Sequence, residues 1–290
     1  MRRHAMNICQ KRERVRVGLW LFLTVIAFGL STMAQPAGPL TMSEAARKEL
    51  APNGRLRAAL NYSNFLLVSA RAPEHAGVAP DLARELARRA NATVEFVGYD
   101  NAGLVADAAA TNAWDVAFIG AEPARANEIA FAPAYVEIEA TYLVPAASAL
   151  QTIDDVDREG VRIATTARAA YTLFLQRTLR HATLVEADGI QGSADLFTHS
   201  HLDALAGLKP RLLEDAQKIP GSRIIEGRFT AVQQSIGVPR LHAAAAAYLA
   251  GFVREIVSSG LLRTTIDRHR AGGLSIAPLA PDAPIRSPRP

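Results

Sequence analysis

Cysteine and aromatic residues are scarce in this chain of 290 residues. The single cysteine, Cys9, excludes an intramolecular disulfide, and the sequence has no CxxC motif or Cys/His ladder that would hold structural zinc. Aromatic residues make up only 6% of the chain, but 49% of it is hydrophobic and 21% is charged. This composition predicts a globular protein whose cores hold it together, long enough for two domains, and it excludes a disordered tail or a small disulfide-stabilised protein.

Clustered positive charge is also lacking outside one end of the chain. The formal net charge is +4, but residues 1–34 contain six basic residues and a single acid. Without them, 26 basic residues stand against 27 acidic ones. Nucleic-acid binding depends on clustered cations that release counterions. We therefore expect no nucleic-acid partner.

Residues 1–34 have the three-part pattern of a secretion signal. Basic residues precede an apolar run from Val17 to Leu30, and small residues, including Thr32 and Ala34, follow it. The run is shorter than the ~20 residues that span a bilayer core, so a cleaved signal is favoured over a membrane anchor. We expect export by the general pathway to a bacterial periplasm, with cleavage after about Ala34.

Strand and helix patterns alternate after a polar linker predicted at 35–54, with order beginning at Arg55. Apolar or β-branched runs predict strands, and stripes of apolar residues at helical spacing predict helices. The predicted strands are 56–60, 93–97, 114–119, 161–164, 183–186 and 202–205. One predicted helix begins at Pro80, and the others cover 103–110, 169–180, 243–258 and 261–269. This alternation predicts parallel sheets covered on both faces, in two α/β units, before a proline-rich tail at 277–290.

Several motifs, in their order along the chain, resemble those of one known family. Residues 77–83 (Gly-Val-Ala-Pro-Asp-Leu-Ala) follow the first strand, and 115–125 run Asp-Val-Ala-Phe-Ile-Gly-Ala-Glu-Pro-Ala-Arg, ahead of Phe-Ala-Pro-Ala-Tyr at 131–135. Residues 160–163 (Gly-Val-Arg-Ile) resemble the start of the family's second lobe. Over about 55–278 the chain resembles the solute-binding proteins of family 3, the polar amino-acid-binding class of ABC importers.

The resemblance implies a two-lobed α/β fold of the type II periplasmic binding class, each lobe a mostly parallel sheet flanked by helices. Lobe 1 would comprise 55–143 and 237–276, and lobe 2 would comprise 144–236. Two hinge crossings would lie near 141–145 and 233–238, and the lobes would close on a ligand by hinge motion. A membrane-bound ABC permease would recognise the closed form of a monomeric protein.

Arg125 is the residue that we expect to bind the ligand. The resemblance assigns this position to the ligand's α-carboxylate, and a guanidinium offers a permanently charged planar fork to two oxygens. A surface helix arginine is the alternative. Backbone N–H groups at Gly120, Ala121 and Glu122 are expected to face the same carboxylate.

The turn before Arg125 departs from the family pattern at two positions. Gly120 stands where a serine is usual, and Glu122 replaces a threonine, which places a negative charge near the expected carboxylate. Glu122 therefore needs a partner, either Arg125, a neighbouring cation, or a cationic or hydroxyl-bearing part of the ligand. A helix N-terminal acid is the alternative interpretation.

Asn61, Tyr62, Ser63 and Asn64 leave the first strand at the end where open α/β sheets bind ligands, and the first three are further candidates. Tyr62 is expected to cover the apolar part of the ligand, and Ser63 to donate a hydrogen bond to it. Ordinary packing is the alternative for the tyrosine.

The second lobe departs further from the family. Arg168-Ala169 stands at the expected Gly-Ser, ahead of Tyr171, and Leu208 occupies the position of the aspartate that holds the α-ammonium. An ammonium without a partner in a closed cleft is penalised by several kcal/mol. The ligand therefore need not be a standard α-amino acid, and Arg168 or Lys209 is expected to give a second cationic contact unless both are surface charges.

These residues predict a protein that captures a small carboxylate-bearing ligand, an amino acid or related organic acid, and delivers it to an ABC importer without a cofactor or catalytic residue. One alternative is an enzyme similar to periplasmic cyclohexadienyl dehydratases, with Glu122 as general acid. Others are a ligand-sensing lobe pair or a degenerate pair that binds a protein. His199 and His201 lack a third ligand at recognisable spacing, so we predict no metal site.

Overall fold

One mixed sheet of eleven strands organises the protein in the computed structural model, which describes residues 40–279. The secretion signal predicted at 1–34 and the last eleven residues of the predicted tail lie outside the described residues. The strands are β1 (Arg55–Asn61), β2 (Thr93–Tyr99), β3 (Val116–Gly120), β4 (Ile129–Phe131), β5 (Val136–Pro145), β6 (Arg162–Thr166), β7 (Thr183–Ala187), β8 (Ala204–Leu208), β9 (Ser222–Ile224), β10 (Thr230–Pro239) and β11 (Ser275–Ile276). The helices are α1 (Glu44–Leu50), α2 (Val78–Arg89), α3 (Ala102–Asp107), α4 (Ala170–Thr178), α5 (Gly189–His199), α6 (Lys209–Lys218), α7 (Ala243–Ser258) and α8 (Leu261–Arg268).

Two parallel groups of strands are joined by two long antiparallel strands. The order along the sheet is β2-β1-β3-β10-β5-β8-β6-β7. Strand β1 pairs in parallel with β2 and β3, and β6 pairs in parallel with β7 and β8. Between the two groups, β10 and β5 run antiparallel to each other and to their outer neighbours. The first lobe is hereafter β1–β4 with α1–α3, α7 and α8, the second lobe is β6–β9 with α4–α6, and β5 and β10 cross between them.

The first lobe is built by strands buried on both faces and by helices with one apolar side. Strand β3 is buried throughout, as its nearly continuous apolar sequence predicts. Helix α2 buries Leu82 and Leu86 and leaves its charged residues on the other side, where Glu85 pairs with Arg88 and Arg89. Trp114 is fully buried and donates its indole N–H to the Val105 carbonyl at 2.9 Å.

The second lobe has its own apolar clusters and a chain of buried hydroxyls beneath the carboxyl end of β6. Thr165 and Thr172 share a hydrogen bond of 2.6 Å, Thr172 donates to the Thr166 carbonyl at 2.6 Å, and the Thr166 hydroxyl lies 3.0 Å from that of Ser193. These bonds tie the end of β6 to the first turns of α4 and α5. The residues around Thr166 are therefore held in a fixed position.

The predicted two-lobed α/β fold with two crossings is confirmed, and most predicted strands and helices are present within a few residues of their expected bounds. The prediction that order begins at Arg55 is wrong. Ser43 caps α1, which buries Ala46 and Leu50, and Glu49 accepts a hydrogen bond of 2.7 Å from the Ala245 backbone N–H at the start of α7. The exact residue limits proposed for the lobes stay a prediction.

Within residues 40–279, no single helix is long and apolar enough to cross a membrane. Helices α7 and α8 pass that test only as a pair, and they are bent by 70° at the break between them. The same part of the chain contains no cluster of three or more His, Cys, Asp or Glu side chains that would hold a metal ion.

Candidate functional site

A small cavity lies between the two lobes where four strands end. The last residues of these strands line it: Asn61 of β1, Gly120 of β3, Thr166 of β6 and Leu208 of β8. This is the edge at which open α/β sheets bind ligands. The remaining lining residues are Ser63, Asn64, Asn101, Ala102, Arg125, Ala167, Ala169, Ala170, Tyr171, Ile190, Val232 and Gln234. The cavity volume is about 40 Å³.

Arg125 brings a buried positive charge to this cavity. It ends the short 3₁₀ helix Pro123–Arg125 that follows β3, and it is only 5% exposed. Its Nη1 donates to the Gly120 carbonyl at 2.6 Å, and its Nη2 donates across the lobes to the Arg168 carbonyl at 2.9 Å. These bonds fix the plane of the guanidinium, because two of its five N–H groups are held in different directions.

The charge on Arg125 has no acidic partner within the described part of the chain. Burial lowers its pKa to about 10, although Glu122 acts in the opposite direction, so the guanidinium is still charged at neutral pH. No Asp or Glu from residues 40–279 lines the cavity. A buried cation without a counterion is unfavourable, and an anion that enters the cavity would relieve this cost.

The first-lobe loop after β1 supplies polar groups. Ser63 donates to Asn61 Oδ1 through its backbone N–H at 3.2 Å and its hydroxyl at 2.8 Å, which fixes the turn that leaves the strand. Asn64 is 5% exposed, and its Oδ1 accepts no hydrogen bond from residues 40–279. Gln234 of β10 is 4% exposed, and its Oε1 is likewise without a donor among those residues.

The second-lobe side of the cavity is mainly apolar. Ala170 and Tyr171 begin α4, and with Leu208 they are packed into the core that is centred on the first lobe. Burial raises the pKa of Tyr171 to about 12, so its hydroxyl is protonated at neutral pH. A side-chain carbon at Gly120 would lie 2.8 Å from Ala170 Cβ, too close for any residue but glycine. The glycine that replaces the family's serine therefore lets the lobes approach here.

Glu122 and Ala121 were expected to face the ligand, but neither residue lines the cavity. Glu122 is 8% exposed, and its Oε2 accepts a hydrogen bond of 2.5 Å from Arg177 Nη1 on α4 of the second lobe. Of the three partners that the sequence left open for Glu122, the structure therefore shows the neighbouring cation, not Arg125 or a ligand. The Ala121 backbone N–H donates to the Gln233 carbonyl at 2.8 Å, so the sheet already uses it and it is not available to an anion.

The structure also corrects the placement of Arg168, Lys209 and Tyr62, none of which lines the interlobe cavity. Arg168 pairs with Asp107 of the first lobe at 2.6 Å and lines an outer cavity of about 370 Å³. Lys209 pairs with Glu139 at 2.9 Å.

Tyr62 lies over Gly98 and contacts His75 through its hydroxyl at 3.3 Å, so it does not cover a ligand in the cavity. Its ring also carries the Arg71 guanidinium at 4.9 Å from the centroid. Tyr62 points away from the cavity that Asn61 and Ser63 line, because the side chains of successive residues in an extended chain alternate between opposite sides.

Sequence reasoning did not select Asn64, Asn101, Thr166 or Gln234 as site residues. Asn64 directly follows the selected Ser63, and Thr166 ends β6 two residues before the selected Arg168, so the strand-end rule applied to β1 would have extended to both. The rule did not indicate Asn101, whose evident role is to cap α3 by accepting a hydrogen bond of 2.9 Å from the Leu104 N–H. Gln234 lies beside Gly120 on a crossing strand, a proximity that only the sheet register reveals.

A larger cavity, of about 620 Å³, lies elsewhere on the second lobe. It is lined by Val161 and Asp203, which precede β6 and β8, so it lies at the amino ends of those strands. Ligands of open α/β sheets bind at the opposite ends. We therefore take the smaller cavity with Arg125 as the candidate site.

Comparisons with known proteins identify the family. The sequence model of the bacterial extracellular solute-binding proteins, family 3, matches residues 58–270. A search of curated proteins found no match. The chain therefore belongs to the bacterial extracellular solute-binding proteins of family 3, as its motifs predict.

Solved structures share the fold at low sequence identity. A mutant of ArgBP from T. maritima is 20% identical with a TM-score of 0.63, over 77% of this chain and 98% of that one. An amino acid ABC transporter substrate-binding protein from Streptococcus pneumoniae Canada MDR_19A, bound to L-arginine, is 15% identical with a TM-score of 0.62, over 80% and 99%. The ancestral amino acid-binding protein AncCDT-1, described as a precursor of cyclohexadienyl dehydratase, is 16% identical with a TM-score of 0.63, over 77% and 97%. At these identities the likeness establishes the type II periplasmic-binding-protein fold.

Proposed function

We propose that this protein captures a small carboxylate-bearing ligand between its lobes, outside the cytoplasm, and delivers it to a membrane-bound ABC importer. The observation that carries the proposal is the buried Arg125 guanidinium, which is charged, has no acidic partner among residues 40–279 and lines the interlobe cavity. A carboxylate is the group that complements such a planar cation best.

Contacts between the lobes support a closure step. Arg168 of the second lobe reaches Asp107 and the Gly103 carbonyl of the first lobe, the latter at 3.1 Å, and Arg177 reaches Glu122. These contacts form only when the lobes are together, so they stabilise a closed form that an importer would recognise. A ligand that adds a contact to Arg125 would shift the population further toward this form.

The alternative of a dehydratase is not favoured by the geometry. It required Glu122 to act as general acid beside the substrate, whereas Glu122 is paired with Arg177 and does not line the cavity. Incubation with prephenate tests this directly. Formation of phenylpyruvate by the wild type, lost in Glu122→Gln, would contradict the proposal that the protein acts by binding alone.

The experiment that tests the proposal begins with native mass spectrometry of protein purified from the cell envelope of its natural host. A thermal-shift panel of amino acids, keto acids, hydroxy acids, dicarboxylates and carboxylate-free amines then follows. We expect a carboxylate to co-purify or to raise the melting temperature in proportion to the logarithm of its concentration.

Two variants make this test specific. Arg125→Met should abolish the ligand-dependent shift, whereas Arg55→Met should not change it, since Arg55 is exposed at the amino end of β1 and pairs with Glu95. Stabilisation by amines alone, or by carboxylates equally in both variants, would refute the role of Arg125 and the proposed function with it.

A further inference from the structure

Two buried amide oxygens, on residues that line the interlobe cavity, lack hydrogen-bond donors among residues 40–279. They are Asn64 Oδ1, on the loop after β1, and Gln234 Oε1, on the crossing strand β10. Both side chains are more than nine-tenths buried. Buried acceptors are almost always paired in folded proteins, because an unpaired one loses its hydration without compensation. Two such acceptors on residues that line one cavity indicate where a donor from a ligand belongs once the side chains turn toward it.

The backbone of each residue is already used by the fold. Asn64 donates its N–H to the Asn61 carbonyl at 3.1 Å and accepts from Val68 at 2.9 Å. The Gln234 carbonyl accepts from the Tyr135 N–H at 2.9 Å. The main chain therefore explains the position of these residues in the loop and the strand. It does not explain why an amide is present at either position, where an apolar side chain would leave no acceptor unpaired.

The charge of the cavity limits what this donor can be. Arg125 is the one charged residue among the described residues that line it, and a ligand carboxylate would neutralise that charge. An additional ammonium group would face only neutral oxygens, since Leu208 stands where a counter-charge is usual and is 7% exposed. Taking an ammonium from water into such a site is unfavourable. A hydroxyl or an amide N–H can donate to the same oxygens without that cost.

The size of the cavity limits the ligand further. In this arrangement of the lobes the cavity is small, with a volume of about 40 Å³. Ala102, Ala169 and Ala170 bring the chain close around it, and Val232 and Leu208 complete the apolar wall. A short carbon chain suits this apolar lining, and a second charged group would find no counter-charge among the described residues that line the cavity.

We propose that the ligand is a short monocarboxylic acid that carries an uncharged hydrogen-bond donor, a hydroxyl or an amide N–H. Its carboxylate binds Arg125, and its donor group is received by Asn64 and Gln234, while Leu208 disfavours the zwitterion of an amino acid. This inference rests on the proposed function and narrows its ligand class.

Calorimetry with matched acids tests the inference. Lactate, alanine and propionate differ at one substituent, which is a hydroxyl, an ammonium or a hydrogen. Oxamate and pyruvate have the same shape, but only oxamate carries amide N–H groups. We expect at least one donor-bearing acid, lactate or oxamate, to bind at least about tenfold more tightly than its donor-free counterpart, and lactate to bind more tightly than alanine.

Variants then locate the donor contact. Gln234→Met and Asn64→Leu keep the side-chain size and remove the acceptor. They should reduce the affinity for the donor-bearing acid to about that of its donor-free counterpart, and they should leave the affinity for that counterpart unchanged. Gln233→Met is the matched control, because Gln233 lies next along β10, donates to Glu137 at 2.9 Å and does not line the cavity.

The possible failures are distinguishable. Alanine binding as tightly as lactate, or equal affinities within both donor pairs, overturns the inference and leaves carboxylate capture intact. If the only carboxylate that binds in the broader panel is not a short monocarboxylic acid with an uncharged donor, the inference is likewise overturned and carboxylate capture stands. If no carboxylate of any class binds, the proposed function fails and the inference falls with it.

Discussion

The first-lobe face of the interlobe cavity carries its charge and its unpaired acceptor from the loop after β1, whereas the second-lobe face is lined by alanines, Tyr171 and Leu208. Arg125 matches the family pattern on the first-lobe face. The departures at Arg168 and Leu208 both belong to the second lobe. The difference indicates that the first-lobe face anchors the carboxylate, whereas Leu208 on the second-lobe face disfavours an ammonium, so each property is open to separate change.

The cationic residues at the junction divide in the same way. Arg125 is buried without an acidic partner among residues 40–279, whereas Arg168 and Arg177 are paired with Asp107 and Glu122 across the lobes. An unpaired buried charge is poor for stability and suited to binding, and paired charges between lobes are suited to holding a closed form. Substitutions at Arg125, Leu208, Arg177 and Asp107 test this division.

Replacement of Arg125 should have the largest effect. Arg125→Met removes one partner of a desolvated ion pair, so we expect carboxylate binding to weaken by about 2–5 kcal/mol in calorimetry. The ligand-free protein should unfold in urea at nearly the same denaturant midpoint. Relief of a buried cation, whose pKa is lowered to about 10, offsets the loss of the bonds to the Gly120 and Arg168 carbonyls.

A loss of stability as large as the loss of binding would contradict this division. It would mean that Arg125 holds the lobes together instead of waiting for an anion. The free energy of unfolding without ligand and the affinity with ligand should therefore be measured on the same preparation.

Leu208 offers the next test, since it marks the apolar face. Leu208 precedes α6 as an N-cap without a side-chain bond, so either Asp or Asn at this position can cap the helix. Leu208→Asp should raise the affinity for alanine at least about tenfold relative to Leu208→Asn, because only the aspartate compensates an ammonium. Both variants lose the same apolar packing. Equal alanine affinities would show that the second-lobe face does not select against the ammonium.

The Glu122–Arg177 pair tests closure separately from recognition. Arg177→Met leaves a nearly buried carboxylate unpaired and should open the lobes, which lowers the affinity for every ligand by about threefold to tenfold without changing their order. Adding Glu122→Gln should restore part of the loss. Small-angle X-ray scattering should record a larger radius of gyration for the single variant. A changed ligand order would place this pair in recognition.

Asp107 should give the smallest effect, because its pair with Arg168 is exposed. The hydrogen bond from Arg168 lowers the pKa of Asp107 below its usual 3.8. A lowered pKa contributes stability above the usual value, which is lost as the pH falls through the lowered one. Wild type should exceed Asp107→Asn by less than about 1 kcal/mol in unfolding free energy at pH 7. The two should converge in acid, and a constant difference would exclude the ion pair as its cause.

Much of the fold was predictable because apolar periodicity reports burial directly. Strand β3 and helix α7 follow continuous or strongly apolar runs, and both form where the pattern indicates. Helices α1, α5 and α6 were missed. Helix α1 buries only Ala46 and Leu50, too few residues to show a period. Helix α5 contains two glycines, so its local propensity for a helix is low. Helix α6 has Pro210 in its first turn and good helix formers after it, so its sequence does carry a helix signal, which the strand-based interpretation passed over.

The sequence predicted which residues line the candidate site only where their position at the end of a strand determines it. Arg125, Gly120 and Asn61 line the cavity because each lies at or just beyond the end of a strand. The roles expected of Glu122 and Arg168 depended on which charges they meet, and their partners lie 55 and 61 residues away in sequence. No local pattern encodes such pairings. The unpaired amides of Asn64 and Gln234 likewise emerge only from the packed structure.

The most direct test of the account is a crystal structure of the protein with the ligand that it retains from its natural host. We predict a carboxylate in the interlobe cavity with an oxygen within about 3 Å of the Arg125 guanidinium. A ligand in the larger cavity at the amino ends of β6 and β8, or one in the interlobe cavity that leaves Arg125 bonded only to the Gly120 and Arg168 carbonyls, would contradict it.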